Sequence, residues 1–122
     1  MLIVDDDPDM RELIRATLGR EKVRLLTASD GESALRIARS ERPTLIVLDL
    51  NLTGRDGLDV CRSLRADGDE HLRNLPILVL TGTRLDEANV VEAFVAGATD
   101  FLVKPIKPTL LRSRVRGWLL RQ

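Results

Sequence analysis

Five short apolar runs are spaced along the chain, and amphipathic stretches alternate with them over its whole length. The runs are Leu2-Ile3-Val4, Val23 to Ala28, Leu45-Ile46-Val47-Leu48, Ile77 to Leu80 and Phe101-Leu102-Val103. Strands that do not alternate apolar with polar residues must be covered on both faces, which is the condition of a parallel sheet between two layers of helices. The intervening segments read as those helices. Asp7-Pro8 is an N-cap with proline at the first helical position, followed by Met10, Leu13, Ile14, Thr17 and Leu18 on one face. Ser29-Asp30-Gly31 opens a helix carrying Ala34, Ile37 and Ala38, which Pro43 stops. Gly54 to Gly57 is a turn before Val60, Cys61 and Leu64. A helix near Asp86 to Ala96 ends at Gly97, and a last one from near Pro108 buries Leu111, Val115, Trp118 and Leu119. The right-handed crossover rule leaves an α/β, doubly wound five-stranded parallel sheet, with strand order 2-1-3-4-5, as the expected fold.

A chain of 122 residues is the size of one domain, and 43% hydrophobic with 31% charged residues is the balance of a folded globular protein. No apolar run approaches the roughly 18 residues that cross a bilayer, and no secretion signal is visible at the N-terminus. Nineteen basic residues balance nineteen acidic ones, from which we expect no direct contact with nucleic acid. Cys61 is the sole cysteine, so no disulfide framework exists and a cytoplasmic setting is expected.

Open sheets of this kind bind ligands at the carboxyl ends of their strands, where the strand order reverses. Polar residues follow four of the five runs at that end: Asp5-Asp6-Asp7, Asp49, Thr81 and Lys104-Pro105. With strands one and three adjacent, Asp5, Asp6 and Asp49 converge. Two unit charges ~4 Å apart repel by roughly 4 kcal/mol at an effective dielectric of ~20, so three carboxylates call for a cation. A hard, oxygen-lined site suits Mg²⁺.

The ordered set Val4-Asp5-Asp6-Asp7-Pro8, Val47-Leu48-Asp49-Leu50-Asn51, Leu80-Thr81-Gly82, Ala96-Gly97-Ala98 and Val103-Lys104-Pro105 resembles the successive signatures of response-regulator receiver domains, over essentially the whole chain. The resemblance implies a flavodoxin-like (βα)5 receiver fold over residues 1–122, either free-standing or joined to a C-terminal effector domain. It implies that Asp49 accepts a phosphoryl group from a sensor histidine kinase or histidine phosphotransfer protein. Asp6 would bind Mg²⁺ directly, Asp5 through a bound water, and the backbone carbonyl of Asn51 would be the third protein ligand. Thr81 would bond a phosphoryl oxygen and Lys104 would pair with Asp49 and the phosphoryl group. Pro105 would permit the cis bond that aims the lysine, and Phe101 would be the switch aromatic. The product is a signalling switch that catalyses its own phosphorylation and slow dephosphorylation, not a turnover enzyme.

Three positions depart from the family's commonest pattern: Thr53 stands where proline is common, Gly82 where alanine is frequent, and Phe101 where tyrosine is frequent. A phosphatase of the haloacid dehalogenase type would want a second acid where Asn51 stands. A flavin phosphate would be repelled by Asp5, Asp6 and Asp7. His71 reads as a loop residue in the polar stretch Asp67 to Asn74, and Cys61 as a buried hydrophobe. Arg112, Arg114, Arg116 and Arg121 read first as a solvated face and second as a dimer contact. Val60 to Arg65, Ala98 to Phe101 and Leu110 to Arg116 resemble receivers that precede cyclic di-GMP synthesis or hydrolysis domains (diguanylate cyclase or phosphodiesterase). A homodimer through the fourth helix, fifth strand and fifth helix is the expected self-association.

Overall fold

Three residues of the first apolar run, Leu2–Val4 (β1), pair in parallel with Leu26–Ala28 (β2) on one side and with Ile46–Asp49 (β3) on the other. Ile77–Thr81 (β4) and Asp100–Val103 (β5) extend the sheet beyond β3, giving the order β2-β1-β3-β4-β5. The computed structural model describes residues 1–52, 56–82 and 87–120. The readings placed on Thr53, Gly54, Asp86 and Arg121 lie outside the described residues.

The absence of alternation has a direct cause. Leu2, Val4, Ile46, Leu48, Ile77 and Val79 point to one side of the sheet, and Ile3, Val47, Leu78, Leu80 and Leu102 to the other. The first side is covered by Gly31–Glu41 (α2), Gly57–Arg65 (α3) and Glu87–Ala96 (α5) through Ala34, Leu35, Ala38, Val60, Cys61, Leu64, Ala93 and Ala96. The second is covered by Pro8–Leu18 (α1) and Pro108–Leu120 (α6) through Ile14, Leu18, Leu111 and Val115. Two cores therefore share one sheet, and burying a Val, Leu or Ile side chain contributes about 1.5–3 kcal/mol before entropy is counted.

The ends of the elements follow local chemistry. Asp7 caps α1 by accepting from the Asp9 amide at 2.9 Å, and Asp30 caps α2 by accepting from the Ser33 amide at 2.7 Å. The structure departs from the sequence reading in three places. The second strand is confined to Leu26–Ala28, because β1 offers it three partners; Val23 and Leu25 pack on the α1/α6 side instead. The polar stretch Asp67 to Asn74 contains a one-turn helix, Glu70–Arg73 (α4), started by the Asp69 carboxylate on the His71 amide and held by buried Leu72. On α6, Leu111 and Val115 are buried, whereas Trp118 and Leu119 are half-buried.

Gly57 sets the approach of α3 to the sheet. A Cβ there would lie 2.6 Å from the Leu50 Cα and 2.7 Å from the Asp49 carbonyl oxygen, so only glycine lets the helix start against the end of β3. Its amide donates to the Leu50 carbonyl at 3.0 Å. At the opposite end of the sheet Gly97 has φ +118°, a conformation that L side chains rarely adopt.

Candidate functional site

The carboxyl ends of β1, β3, β4 and β5 meet at one edge, and the strand pairing decides which side chains meet there. Asp5 follows β1, its amide donating to the Ala28 carbonyl at 3.1 Å. Asp49 is the last residue of β3, paired with Leu80, and the Lys104 amide donates to the Thr81 carbonyl at 2.8 Å. Asp5 and Asp49 are the buried polar residues of the described chain, 0% and 2% exposed. Asp6 is exposed beside them, and one carboxylate oxygen from each of the three lies within 4.8 Å of the others.

Each buried carboxylate is held from two directions. Asp49 accepts the Asn51 amide on Oδ1 at 3.1 Å and the Lys104 ammonium on Oδ2 at 3.1 Å. Asp5 accepts the Asp7 amide on Oδ1 at 3.0 Å, while its Oδ2 is buried with no hydrogen-bond partner and has the Lys104 ammonium 3.7 Å away. Burial, above all, raises the Asp5 pKa; the Asp7 amide opposes this, and the charges of Asp49 and Lys104 act in opposite senses. Burial works against the Lys104 ammonium, but its hydrogen bond to Asp49 and the charges of Asp49 and Asp5 outweigh that and raise its pKa.

One ammonium among three carboxylates leaves the group two charges negative, and a buried oxygen without a partner points into it. Among the described residues no histidine or cysteine joins the group. These donors fit a hard divalent cation rather than zinc or copper.

The remaining residues fall as follows. Asn51 is exposed and contributes its amide to Asp49. The Thr81 hydroxyl, half-buried at the end of β4, donates to the Gly82 carbonyl at 3.1 Å. The Lys104–Pro105 peptide bond is cis. Phe101 is half-buried and edge-on to Phe94, with ring centroids 5.8 Å apart. His71 lies at the far end of the sheet, its Nε2 2.7 Å from the Pro43 carbonyl oxygen. The α6 arginines are engaged within the chain: Arg114 pairs with both oxygens of Asp100, Arg116 with Glu21, and Arg112 with the Thr17 carbonyl.

Two arginines escaped the sequence reading. Arg11 donates to the Asp5 backbone carbonyl at 2.8 Å, steadying the loop that carries the acids. Arg65 reaches across the opposite end to the carbonyls of Leu75 at 2.7 Å and Gly97 at 3.0 Å and to the Thr99 hydroxyl at 3.3 Å. Helical periodicity cannot reveal either, because both act on backbone groups brought near by the fold.

Sheet order, acid cluster and lysine together define an α/β domain with a charged, oxygen-lined site at the switch point of its sheet. Residues 1–116 match the family model for the response regulator receiver domain, and the chain belongs to that family. It is 42% identical over 121 residues to the DNA-binding response regulator MtrA of Mycolicibacterium smegmatis, covering 99% of this chain and 50% of that protein. The transcriptional regulatory protein AfsQ1 of Streptomyces coelicolor is 40% identical, covering 99% and 51%. Among solved structures, the receiver domain of NtrX from Brucella abortus superposes with a TM-score of 0.87 at 31% identity, covering 99% and 98% of the two chains. The chemotaxis response regulator CheY4 of Vibrio cholerae gives 0.87 at 30%, covering 96% and 95%.

The chain spans about half the length of the curated relatives it matches. Their names stand against the expectation of no direct contact with nucleic acid: zero net charge describes these 122 residues, and the DNA-binding relatives are about twice as long. These relatives are named as DNA-binding and transcriptional regulators, a different output from the cyclic di-GMP enzymes suggested by Val60 to Arg65, Ala98 to Phe101 and Leu110 to Arg116, segments in which Val60, Cys61, Leu64, Leu111 and Val115 are core residues. No described helix is long and apolar enough to cross a membrane.

Proposed function

We propose that Asp49 is the phosphoacceptor of this receiver, served by Lys104 and Thr81, and that Asp5, Asp6, Asp49 and the Asn51 carbonyl hold Mg²⁺. The observation that carries the reading is the state of the Asp49 carboxylate: nearly buried at the end of the central strand, with one oxygen on an amide and the other on an ammonium.

An oxygen of the Asp49 carboxylate attacks the phosphorus of a phosphohistidine on a kinase or phosphotransfer protein. The P–N bond breaks, an aspartyl phosphate forms, and the leaving imidazole recovers a proton. Lys104 sits where charge on the incoming phosphoryl oxygens needs neutralising, and its raised pKa keeps it cationic. The Thr81 hydroxyl, bonded to a carbonyl in this state, is able to turn to a phosphoryl oxygen. When bound, Mg²⁺ supplies positive charge to the same oxygens. Water later hydrolyses the acyl phosphate, restoring the carboxylate. The output is regulation of DNA binding by a longer regulator of which this receiver forms part, by analogy with MtrA and AfsQ1.

Incubation with phosphoramidate and Mg²⁺, read by intact-mass spectrometry, tests the assignment. One added phosphate per chain is expected, located on Asp49, and none on Asp49→Asn. Labelling of that variant at the wild-type yield would overturn the reading.

A further inference from the structure

A second polar recess lies beside α1, the end of β2 and the first turns of α2. It has a volume of about 220 Å³ and is lined by Arg11, Arg36, Thr27, Ser29 and Ser33, with Ala28 and Ile37. We propose that it binds a small phosphate-type oxyanion, separately from the acid cluster.

The case begins with the two guanidinium groups. Arg24, Arg39, Arg42, Arg62, Arg114 and Arg116 are each ion-paired to a carboxylate. Among the described residues neither Arg11 nor Arg36 is, a state they share with Arg15, Arg20, Arg65, Arg73 and Arg112, but these two line one recess together. Arg11 is positioned rather than loose: it is half-buried, and its Nη1 is held by the Asp5 carbonyl at 2.8 Å, leaving its other N–H groups for a ligand. Asp30, beside the recess, is occupied in capping α2 through the Ser33 amide and hydroxyl, and its charge acts on Arg36. Among the described residues no carboxylate lines the recess, and Thr27 and Ser29 add hydroxyl donors.

Paired guanidinium forks with hydroxyls are the recognition chemistry of oxyanions, and a dianion gains more from two such forks than a monoanion does. The recess is too small for a nucleotide, and no aromatic side chain lines it for a base to stack on. A free phosphate-sized anion is therefore the occupant. This site includes neither Asp49 nor Lys104, so it stands or falls independently of the acceptor assignment.

The test is a titration of ¹⁵N-labelled full chain with inorganic phosphate, in EDTA and at constant ionic strength, followed by amide shifts. Saturable shifts in the millimolar range are expected at Ser29, Glu32 and Ser33, equally in wild type and Asp49→Asn. Arg36→Gln, at an exposed position, should weaken binding by roughly tenfold or more, the loss of one charge-assisted contact. Arg11→Gln should do the same, and Arg24→Gln should change nothing. Acetate should shift the same amides more weakly. Unchanged binding in Arg36→Gln, or unsaturable shifts shared among all the surface arginines, would show an adventitious ion only and overturn the proposal.

Discussion

Replacing Asp5 by asparagine tests the electrostatics of the cluster without touching the acceptor. Its Oδ2 lies 3.7 Å from the Lys104 ammonium, an attraction of about 4.5 kcal/mol at an effective dielectric of ~20. Its partner oxygens on Asp49 lie within 4.8 Å, a repulsion of at least about 3.5 kcal/mol on the same scale. These nearly cancel, and exposed Asp6 adds a repulsion weakened by solvent. What remains is the cost of burying a carboxylate that has one amide hydrogen bond and one unpartnered oxygen. Because burial raises its folded-state pKa above the ordinary 3.8, the folded chain binds more protons there. Stability therefore falls as pH rises through the window from 3.8 to the raised value, and the penalty is complete above it. At neutral pH and without metal, Asp5→Asn should stabilise the domain by about 1–3 kcal/mol, since the amide is neutral, still accepts from Asp7, and offers N–H groups to Asp49. Urea unfolding in EDTA and again in excess Mg²⁺ measures both halves. Wild type should gain stability with Mg²⁺ and the variant should gain much less. A variant destabilised in EDTA, or an equal response of both proteins to Mg²⁺, would refute the argument.

Other expectations follow from single contacts. Gly57→Ala puts a Cβ against backbone at 2.6 Å and 2.7 Å, so it should cost about 1–3 kcal/mol in urea unfolding and slow phosphoramidate labelling by shifting the end of β3. Gly97→Ala meets both φ +118° and the Arg65 Cγ at 2.4 Å, and should cost about 2–4 kcal/mol; cutting the side chain back in Arg65→Ala should recover only the steric part in a double-mutant cycle. The Cys61 thiol is fully buried with a pKa pushed up to about 11, so at pH 8 it should react with a disulfide reagent only as fast as the protein unfolds, and at once in urea.

The sheet order and the acid cluster were legible in the sequence because they depend on signals carried by contiguous residues. An apolar run states that a strand is covered on both faces, and the residue after the run is placed at the ligand edge whatever the helices do. Asp5, Asp49, Thr81 and Lys104 could thus be assigned to one edge before any distance was known. What was hidden depends on contacts between distant backbone groups. The reach of Arg65 to Leu75, Gly97 and Thr99, and of Arg11 to the Asp5 carbonyl, leaves no periodic trace, since an arginine on a helix's polar face looks the same whether it is solvated or holding a carbonyl. The one-turn helix at Glu70–Arg73 was hidden for another reason: a single turn is too short for a period of 3.6 to register, and only the Asp69 cap and buried Leu72 mark it. Charge balance misled about nucleic acid because it is a property of the residues counted, whereas the relatives that bind DNA are about twice as long. Zero net charge speaks only for the residues counted, and regions of opposite charge would cancel in the sum even in a chain as long as those relatives.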